Sequence, residues 1–316
     1  MKRAYNGALM TDPHALRRAQ WQIHLCVLLW GFTAILGKLI SLPALALVVW
    51  RMGLVSLVLA GWPQAWRGLR ALPRRRLVSY ALIGCLVALH WFTFYAAIKL
   101  SNASVAVACM ALGAIFTALL EPLITRAPHR RHELLLGLLA IPGVWLLVGG
   151  VPLEMRAGIA VGTLSAALAA TFTALNKRYV NEAPAESVTL FEMTIGGIFL
   201  ILLGSLTFGA EQTLVIPSQA DLLWLIVLAI ACTAIPFVLS LHALRHLSAF
   251  SAQLAINLEP VYAIILAALW LGEYQQLSTQ FYLGAAAILL VVFLQPRLGP
   301  QTSSRVDPSR IDPSRK

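Results

Sequence analysis

Residues 77–98 read LVSYALIGCLVALHWFTFYAAI, a stretch of 22 residues that contains no Asp, Glu, Lys or Arg. A helix rises about 1.5 Å per residue, so roughly 20 mostly apolar residues cross the hydrocarbon core of a bilayer. The apolar residues run continuously instead of alternating at every second position, which favours a helix over a strand of a β-barrel. The stretch therefore predicts a membrane-spanning α-helix.

The composition of the whole chain has the same character. Of 316 residues, 59% are hydrophobic and 12% are charged, and the mean hydropathy is +0.79. Soluble domains carry about 25% charged residues, and no soluble core could enclose this much apolar surface. We therefore predict an all-α integral membrane protein, placed as a multi-pass protein in the inner (plasma) membrane of a bacterial-type cell.

Further stretches of this kind bring the number of predicted transmembrane helices to ten. Prolines mark the junctions between them, where a proline costs a helix little. The predicted helices cover residues 21–40, 43–62, 77–98, 101–125, 134–151, 158–175, 187–208, 220–241, 248–271 and 279–294.

The basic residues predict the orientation of these helices. With a cytoplasmic N-terminus, all but four of the 24 lysines and arginines fall in cytoplasmic segments, which is the bias that sets membrane topology. The exceptions are Lys38 and Arg51 inside predicted helices, and Lys99 and Arg156 outside. Both termini are therefore predicted to be cytoplasmic. The positions of the basic residues in cytoplasmic segments then account for the net charge of +11, so nucleic acid is not an expected partner.

Similar short motifs recur in the same order in the two halves of the chain. GFTA at 31–34 resembles TFTA at 171–174, WRM at 50–52 lines up with FEM at 191–193, and Leu-Ser occurs at both 100–101 and 247–248. Five helices per half would make the two repeats run oppositely through the membrane, as in many secondary transporters. Coincidence among common apolar residues is the alternative explanation.

The predicted organisation has four parts. A cytoplasmic N-terminal segment at 1–20 is followed by a first five-helix repeat at 21–151 and a second at 152–296. The last part, 297–316, is predicted to be a disordered cytoplasmic tail, because it is polar, contains proline and is too short to bury a core.

One segment carries a family resemblance. Residues 247–273 read LSAFSAQLAINLEPVYAIILAALWLGE, which is similar to the ninth helix of EamA-type transporters in the drug/metabolite transporter superfamily. Residues 30–38 resemble the first helix of that family and residues 96–121 the junction of its third and fourth helices. The resemblance extends over roughly residues 20–295. It implies a carrier of ten helices with two-fold pseudo-symmetry, which works by alternating access and often exports small metabolites such as amino acids.

An acid inside a membrane segment is costly, which makes Glu259 the first candidate site residue. It lies about twelve residues into the predicted helix 248–271, near the midplane, with Asn257 beside it and Pro260 directly after it. Desolvation penalises the ionised form of a carboxyl group. A carboxyl group at this depth can therefore alternate between protonated and ionised forms as the site opens to one side of the membrane and then to the other. Proton coupling through Glu259 is the resulting hypothesis. Pro260 is predicted to kink the helix and to free the carbonyl of Ile256. A neutral, purely structural Glu259 is the alternative.

Arg51 lies about eight residues into the predicted helix 43–62 and is a candidate for binding a substrate carboxylate. Its counterpart in the second repeat is Glu192, which inversion places at the opposite depth. Glu192 could reach cytoplasmic water or pair with Lys177 or Arg178. For Arg51 and Glu192, structural pairing is the alternative. Lys38 could line an external gate or extend its amine to the membrane surface.

Two more candidates lie in the predicted helix 77–98. His90 shares a face with Phe94, and Trp91 shares a face with Tyr95, because residues four apart are neighbours on a helix. His90 could carry a proton and Trp91 could line a substrate cavity. An aromatic belt at the membrane interface is the alternative for Trp91 and Tyr95.

The inverted repeat and the family resemblance together predict a secondary transporter of small metabolites rather than an enzyme. The expected partners are a small-molecule substrate and the lipid bilayer, and a homodimer is left open. No metal-ligand spacing, phosphate-binding glycine loop or ATP-binding motif occurs, so neither a metal nor a cofactor is predicted. An intramembrane enzyme with a site at the membrane face is the alternative, although His90 lacks an obvious catalytic partner.

Overall fold

The computed structural model describes residues 13–125, 131–179, 182–243, 246, 255–256 and 258–298, and contains helices but no strand in these residues. Helices suit an apolar chain because each satisfies its own backbone N–H and C=O groups. The α-helices are α1 (Pro13–Leu39), α2 (Ala44–Ala60), α3 (Pro63–Ala71), α4 (Arg74–Leu100), α5 (Ala103–Met110), α6 (Gly113–Thr125), α7 (Arg131–Gly149), α8 (Arg156–Tyr179), α9 (Ala185–Phe208), α10 (Ala210–Thr213), α11 (Gln219–Ala229), α12 (Ile235–Ala243), α13 (Glu259–Leu271) and α14 (Thr279–Leu298). A π-helical segment, Ile230–Ala234, joins α11 to α12.

Several helices are long and apolar enough to cross a membrane. Five qualify singly, and up to seven if each of two bent pairs is one span. Helical segments overlap all ten predicted stretches, which agrees with a multi-pass membrane protein, but the count of ten stays a prediction. Several helices reach beyond the predicted boundaries: α1 already begins at Pro13, α4 covers Arg74–Leu100 and α14 continues to Leu298.

The chain has two sharp bends, one at the predicted boundary at residue 62 and one inside the predicted helix 101–125. The chain turns by 93° between α2 and α3, and by 44° between Ala103–Met110 and Ile115–Ile124. The predicted single helix at 101–125 was therefore wrong in this respect. The bend follows Met110, where the backbone N–H of Ala111 bonds the carbonyl of Ala108 in a tight turn before Gly113 begins the next helix.

Helix α4 lies in the middle of the described bundle, between α8 and α9. Its crossing with α9 is close because both helices have a glycine there. A Cβ on Gly196 would lie 2.5 Å from the carbonyl oxygen of Gly84, and a Cβ on Gly84 would lie 2.6 Å from that of Glu192. Small residues permit this close approach of two backbones. Beside this crossing, α2 also packs on α9, with Met52 against Gly196 and Gly197.

Polar contacts join the two halves at one end of the bundle, which we call the Glu273 end. The carboxylate of Glu273 accepts hydrogen bonds from the backbone N–H groups of Ala103 and Ser104, at 2.9 and 2.8 Å, in the first turn of α5. Asp221 accepts bonds of 2.6 Å from both the backbone and the hydroxyl of Ser41. These two acids therefore tie the second half of the chain to the first.

The opposite end of the bundle, which we call the basic end, carries several ion pairs. Arg76 pairs with Glu182, and Lys177 with Glu121. His242 lies 3.4 Å from the carboxylate of Glu186. The residues of each pair come from different helices or from their connections. Side-chain contacts therefore join these elements at the basic end as well.

Candidate substrate site

A buried arginine forms the centre of the candidate site. Arg51 lies on α2 and is 3% exposed. Its Nε donates a hydrogen bond of 2.8 Å to the hydroxyl of Thr233, and its Nη1 donates one of 2.9 Å to the hydroxyl of Tyr95. These bonds engage two of the five N–H donors of the guanidinium. In the part of the chain that the structure describes, no carboxylate forms a direct ion pair with Arg51.

Thr233, which contacts Arg51, lies in the π-helical segment. Its hydroxyl donates a bond of 2.7 Å to the carbonyl of Leu228, five residues earlier, and accepts the bond from Arg51. The wider π turn ends at Ala234, two residues before Pro236, which has no N–H to donate within its helix. Single π turns inside helices occur frequently at functional sites.

Aromatic rings complete the surroundings of the guanidinium. The Cζ of Arg51 lies 3.7 Å from the ring centroid of Trp91 and 5.7 Å from that of Tyr95. The ring of Phe237 meets Trp91 edge-on at 5.8 Å. The face of an aromatic ring attracts a cation, and most strongly where water is excluded. Trp91 and Tyr95 are 5% and 0% exposed, so an interfacial aromatic belt is the wrong interpretation for both residues.

Glu259 lies at the start of α13 and acts on the same site. It interacts electrostatically with Arg51, although the two are not in contact as an ion pair within the described residues. Pro260 is buried in the first turn of α13, where a proline is tolerated. Asn257 lies outside the described residues, as do 247–254, so the predicted kink in a continuous helix stays a prediction.

His90 lies on α4 next to Trp91 but faces α8. Its Nδ1 lies 3.0 Å from the carbonyl oxygen of Ser165, and the hydroxyl of Ser165 lies 2.9 Å from the carbonyl of His90. The hydroxyl of Ser165 also lies 2.9 Å from Nδ1. The ring also contacts Phe172 and Phe94. His90 therefore ties α4 to α8, and it acts on Arg51 only through electrostatics.

Lys38 is not part of this cluster. It is exposed in the last turn of α1, near the Glu273 end, where Lys99 acts on it electrostatically. The neighbouring Lys99 donates to the carbonyl of Ile40. The structure therefore brings Arg51, Trp91 and Glu259 to one region and leaves Lys38 at the end of the bundle.

The expected alternatives for Glu192 are wrong. Glu192 is 1% exposed and does not reach water. Lys177 pairs with Glu121, and Arg178 donates to the carbonyl of Ile124, so neither cation is directed to Glu192. The contact of Glu192 is instead with the side-chain amide of Asn176, at 3.3 Å.

Sequence reasoning did not select Tyr95, Thr233 or Phe237 as site residues. Tyr95 could have been found, because it lies four residues after Trp91 and so shares its helix face. Thr233 and Phe237 gave no such signal, since a threonine and a phenylalanine in an apolar helix are ordinary. Only tertiary packing brings them to the site: the π-helical segment with Thr233 lies against α2, and the ring of Phe237 meets Trp91 on α4.

Comparisons with known proteins agree with this architecture. A model of the EamA-like transporter family matches the chain twice, over residues 18–149 and 156–295. Among solved structures, 14 chains match. One of them, a crystal structure with 17% sequence identity, covers 89% of this chain and 97% of its own, with a TM-score of 0.63. At this identity the likeness concerns the fold alone. No match is found among curated proteins.

Proposed function

Because the chain belongs to the EamA-like transporter family of the drug/metabolite transporter superfamily, we propose that it exports small metabolites that carry a carboxylate, such as amino acids and related compounds. Transport proceeds by alternating access, without a nucleotide. The substrate binds at Arg51, between the two halves of the chain. Arg51 comes from α2 in the first half and Thr233 from the π-helical segment in the second.

The environment of Arg51 is the observation that carries this proposal. A buried cation usually has an anionic partner, since leaving a charge unpaired away from water is costly. Here the described contacts are two hydroxyl groups and an aromatic face, which solvate the cation without neutralising it. A substrate carboxylate supplies the missing negative charge and two acceptor oxygens in the planar geometry that a guanidinium prefers.

The proposed topology follows the distribution of charge. We place ten membrane-spanning segments in the inner membrane, in two oppositely oriented repeats, with both termini in the cytoplasm. Arg67, Arg70, Arg74 and Arg75 are exposed where α3 and α4 meet at the basic end, which supports a cytoplasmic position for that end. The Glu273 end then faces the periplasm.

Glu259 gives the proposed carrier its coupling to protons. Its electrostatic interaction with Arg51 means that a carboxylate substrate and an ionised Glu259 compete for the same cation. The protonation state of Glu259 therefore changes the affinity of Arg51 for the substrate, which links substrate binding to proton binding.

Binding to the purified protein tests the role of Arg51. We expect free amino acids to raise the unfolding temperature, whereas their amides and methyl esters, which lack the carboxylate, do not. Arg51→Gln should weaken this binding about tenfold or more, because it removes a charge-assisted interaction. Lys38→Gln, which removes an exposed cation, is the matched control. An unchanged affinity in Arg51→Gln contradicts the proposed site.

Flux through proteoliposomes tests the role of Glu259. Glu259→Gln should insert into the membrane normally but lose the response of substrate flux to an imposed pH gradient, because the amide cannot exchange a proton. Glu211→Gln, which removes an exposed acid on α10 without altering the site, is a control for the same change in total charge. Normal gradient-dependent flux in Glu259→Gln removes this residue from the coupling mechanism.

A further inference from the structure

Glu192 is a buried acid that the proposed substrate site does not use. It lies on α9 and is 1% exposed. Its Oε2 is 3.3 Å from the amide nitrogen of Asn176 on α8, which is a long hydrogen bond. Its Oε1 is buried and has no hydrogen-bond partner among the described residues. The carboxyl group therefore has one weak neutral donor and one unsatisfied oxygen.

No cation in the described part of the chain contacts this carboxyl group. The hydroxyl of Tyr80, the titratable group of α4 that interacts with Glu192, donates instead to the carbonyl of Tyr179 at 3.0 Å. The charged groups of the surrounding elements either have other partners or are exposed. Arg76 pairs with Glu182, Lys177 with Glu121 and His242 with Glu186. Arg178 binds the carbonyl of Ile124, Arg51 binds Tyr95 and Thr233, and Arg67, Arg70 and Glu211 are exposed.

The backbone of α9 at Glu192 packs closely against α4. The carbonyl of Glu192 faces Gly84 on α4, where a Cβ would lie at 2.6 Å. One turn further along α9, Gly196 lies against the carbonyl of Gly84 in the same crossing. The carboxyl group is therefore enclosed where α8 and α9 meet α4, a region that we call the α4–α8–α9 junction.

We propose that Glu192 is a proton-binding site, distinct from Glu259, that couples opening of the α4–α8–α9 junction to protonation. An ionised carboxylate without a cation or strong donors is too costly to bury, so the closed junction holds the protonated acid. When the junction opens, water reaches the carboxyl group. The O–H bond then breaks, the proton passes to water, and a hydrated carboxylate remains.

The ion pairs at the basic end connect this proton to a larger movement. Asn176 precedes Lys177 on α8, and Lys177 pairs with Glu121 on α6. Arg76, which pairs with Glu182, belongs to the first turn of α4. Opening the junction therefore separates α4 from the connection before α9, which the Arg76–Glu182 pair joins, and moves the end of α8 that is paired with α6. The coupling between protonation of Glu192 and the change of access during transport rests on the proposed transport function, whereas the protonation of Glu192 itself does not.

Infrared spectroscopy of the full-length protein in detergent at neutral pH tests the protonation. The wild type should show the C=O stretching band of a protonated carboxylic acid, and Glu192→Gln, which has nearly the same shape, should lose a component of that band. Glu211→Gln, at an exposed acid on α10, should keep the whole band. Identical carboxylic acid bands in the wild type and Glu192→Gln overturn the proposal.

A second variant tests the protonation even if Glu192→Gln does not fold. Asn176→Leu removes the amide that contacts Oε2 but keeps Glu192 itself, so the frequency of the carboxylic acid band should shift. A band that neither shifts nor disappears in this variant overturns the proposal as well. Absence of solute flux in proteoliposomes would contradict the transport function and leave both spectra unaffected, so the two failures are distinguishable.

Hydrogen exchange tests the coupling. At alkaline pH, amides at the ends of α8 and α9 that meet at the junction should exchange faster in the wild type than in Glu192→Gln, because only the wild type can ionise there. Comparing the two proteins at the same pH removes the intrinsic pH dependence of exchange. Equal rates in the two proteins across the pH range contradict coupling between protonation and opening.

Discussion

The guanidinium of Arg51 is buried at a point where the surrounding side chains solvate its charge but do not cancel it. Two hydroxyl oxygens accept its hydrogen bonds and the ring of Trp91 covers its plane at 3.7 Å. Such neutral partners lower the cost of burying a cation, while they leave its electrostatic attraction for an anion largely intact. At the scale of the residue, this is the property that a carboxylate-binding site requires.

The hydroxyl of Thr233 should contribute to substrate affinity by holding Arg51 in position. Thr233→Val keeps the shape of the side chain but removes the acceptor for Nε, so the guanidinium gains freedom and loses about 1 kcal/mol of interaction. We expect a weaker affinity for amino acids, about fivefold, without loss of folding. Thr171→Val is the control, because its hydroxyl bonds only the carbonyl of Ala167 in its own helix. An equal effect of both substitutions on affinity contradicts a specific role for Thr233.

The residue-scale predictions from the sequence depended on the rarity of charge in the membrane segments. A single arginine or glutamate in an apolar stretch is conspicuous, so Arg51 and Glu259 could be selected as candidates. Trp91 and Tyr95 lie on one helix face, as the four-residue spacing predicted, and both contact Arg51. The partner Thr233 is separated from Arg51 by 182 positions, and no local pattern encodes that contact.

At the scale of the helix, the close crossing of α4 and α9 depends on glycine. Gly196→Ala would place a Cβ 2.5 Å from the carbonyl oxygen of Gly84, and this backbone atom cannot move aside as a side-chain end can. We expect a destabilisation of about 1–3 kcal/mol, typical of overpacking, measured as a lower unfolding temperature in detergent.

Gly53 provides the matched control for that substitution. It lies on α2, and a Cβ built there meets no atom within 4 Å. Gly53→Ala should therefore leave the unfolding temperature unchanged or raise it slightly, since alanine has the higher helix propensity. Equal losses of stability in Gly53→Ala and Gly196→Ala would contradict the close crossing of α4 and α9.

The beginning of α5 should depend on an acid from the other half of the chain. Glu273→Gln removes the negative charge that accepts hydrogen bonds from the N–H groups of Ala103 and Ser104, at a helix end that favours an anion. We expect a loss of about 1 kcal/mol in stability. Glu154→Gln, at an exposed acid, should have no effect on the unfolding temperature. The prediction fails if the two variants unfold at the same temperature.

The elements themselves could be predicted from hydrophobic length, but their interruptions could not. Helices overlap all ten predicted stretches because an apolar run of this length in a membrane has few other options. The bend of 44° after Met110 and the π-helical segment at Ile230–Ala234 gave no such signal. The π-helical segment contains Thr233, which lies beside Arg51, so the detail that sequence reasoning missed belongs to the site.

At the scale of the whole molecule, the chain consists of two copies of one family unit, at residues 18–149 and 156–295. The resemblance to EamA-type transporters, first carried by residues 247–273, is thereby confirmed. Substrate, direction and coupling ion are properties of particular side chains, and a shared fold does not determine them. The contacts of Glu273 and Asp221 tie the two copies together at one end of the bundle.

Counterflow in proteoliposomes tests the central claim, that this chain is a carrier with Arg51 in its substrate site. Vesicles loaded with an unlabelled amino acid should take up the labelled compound transiently and saturably with the wild-type protein, and far more slowly with folded Arg51→Gln. Uptake should disappear when the carboxylate is replaced by an amide. Counterflow that is equally fast in Arg51→Gln, or absent for every carboxylate compound tested with the wild type, would contradict the account.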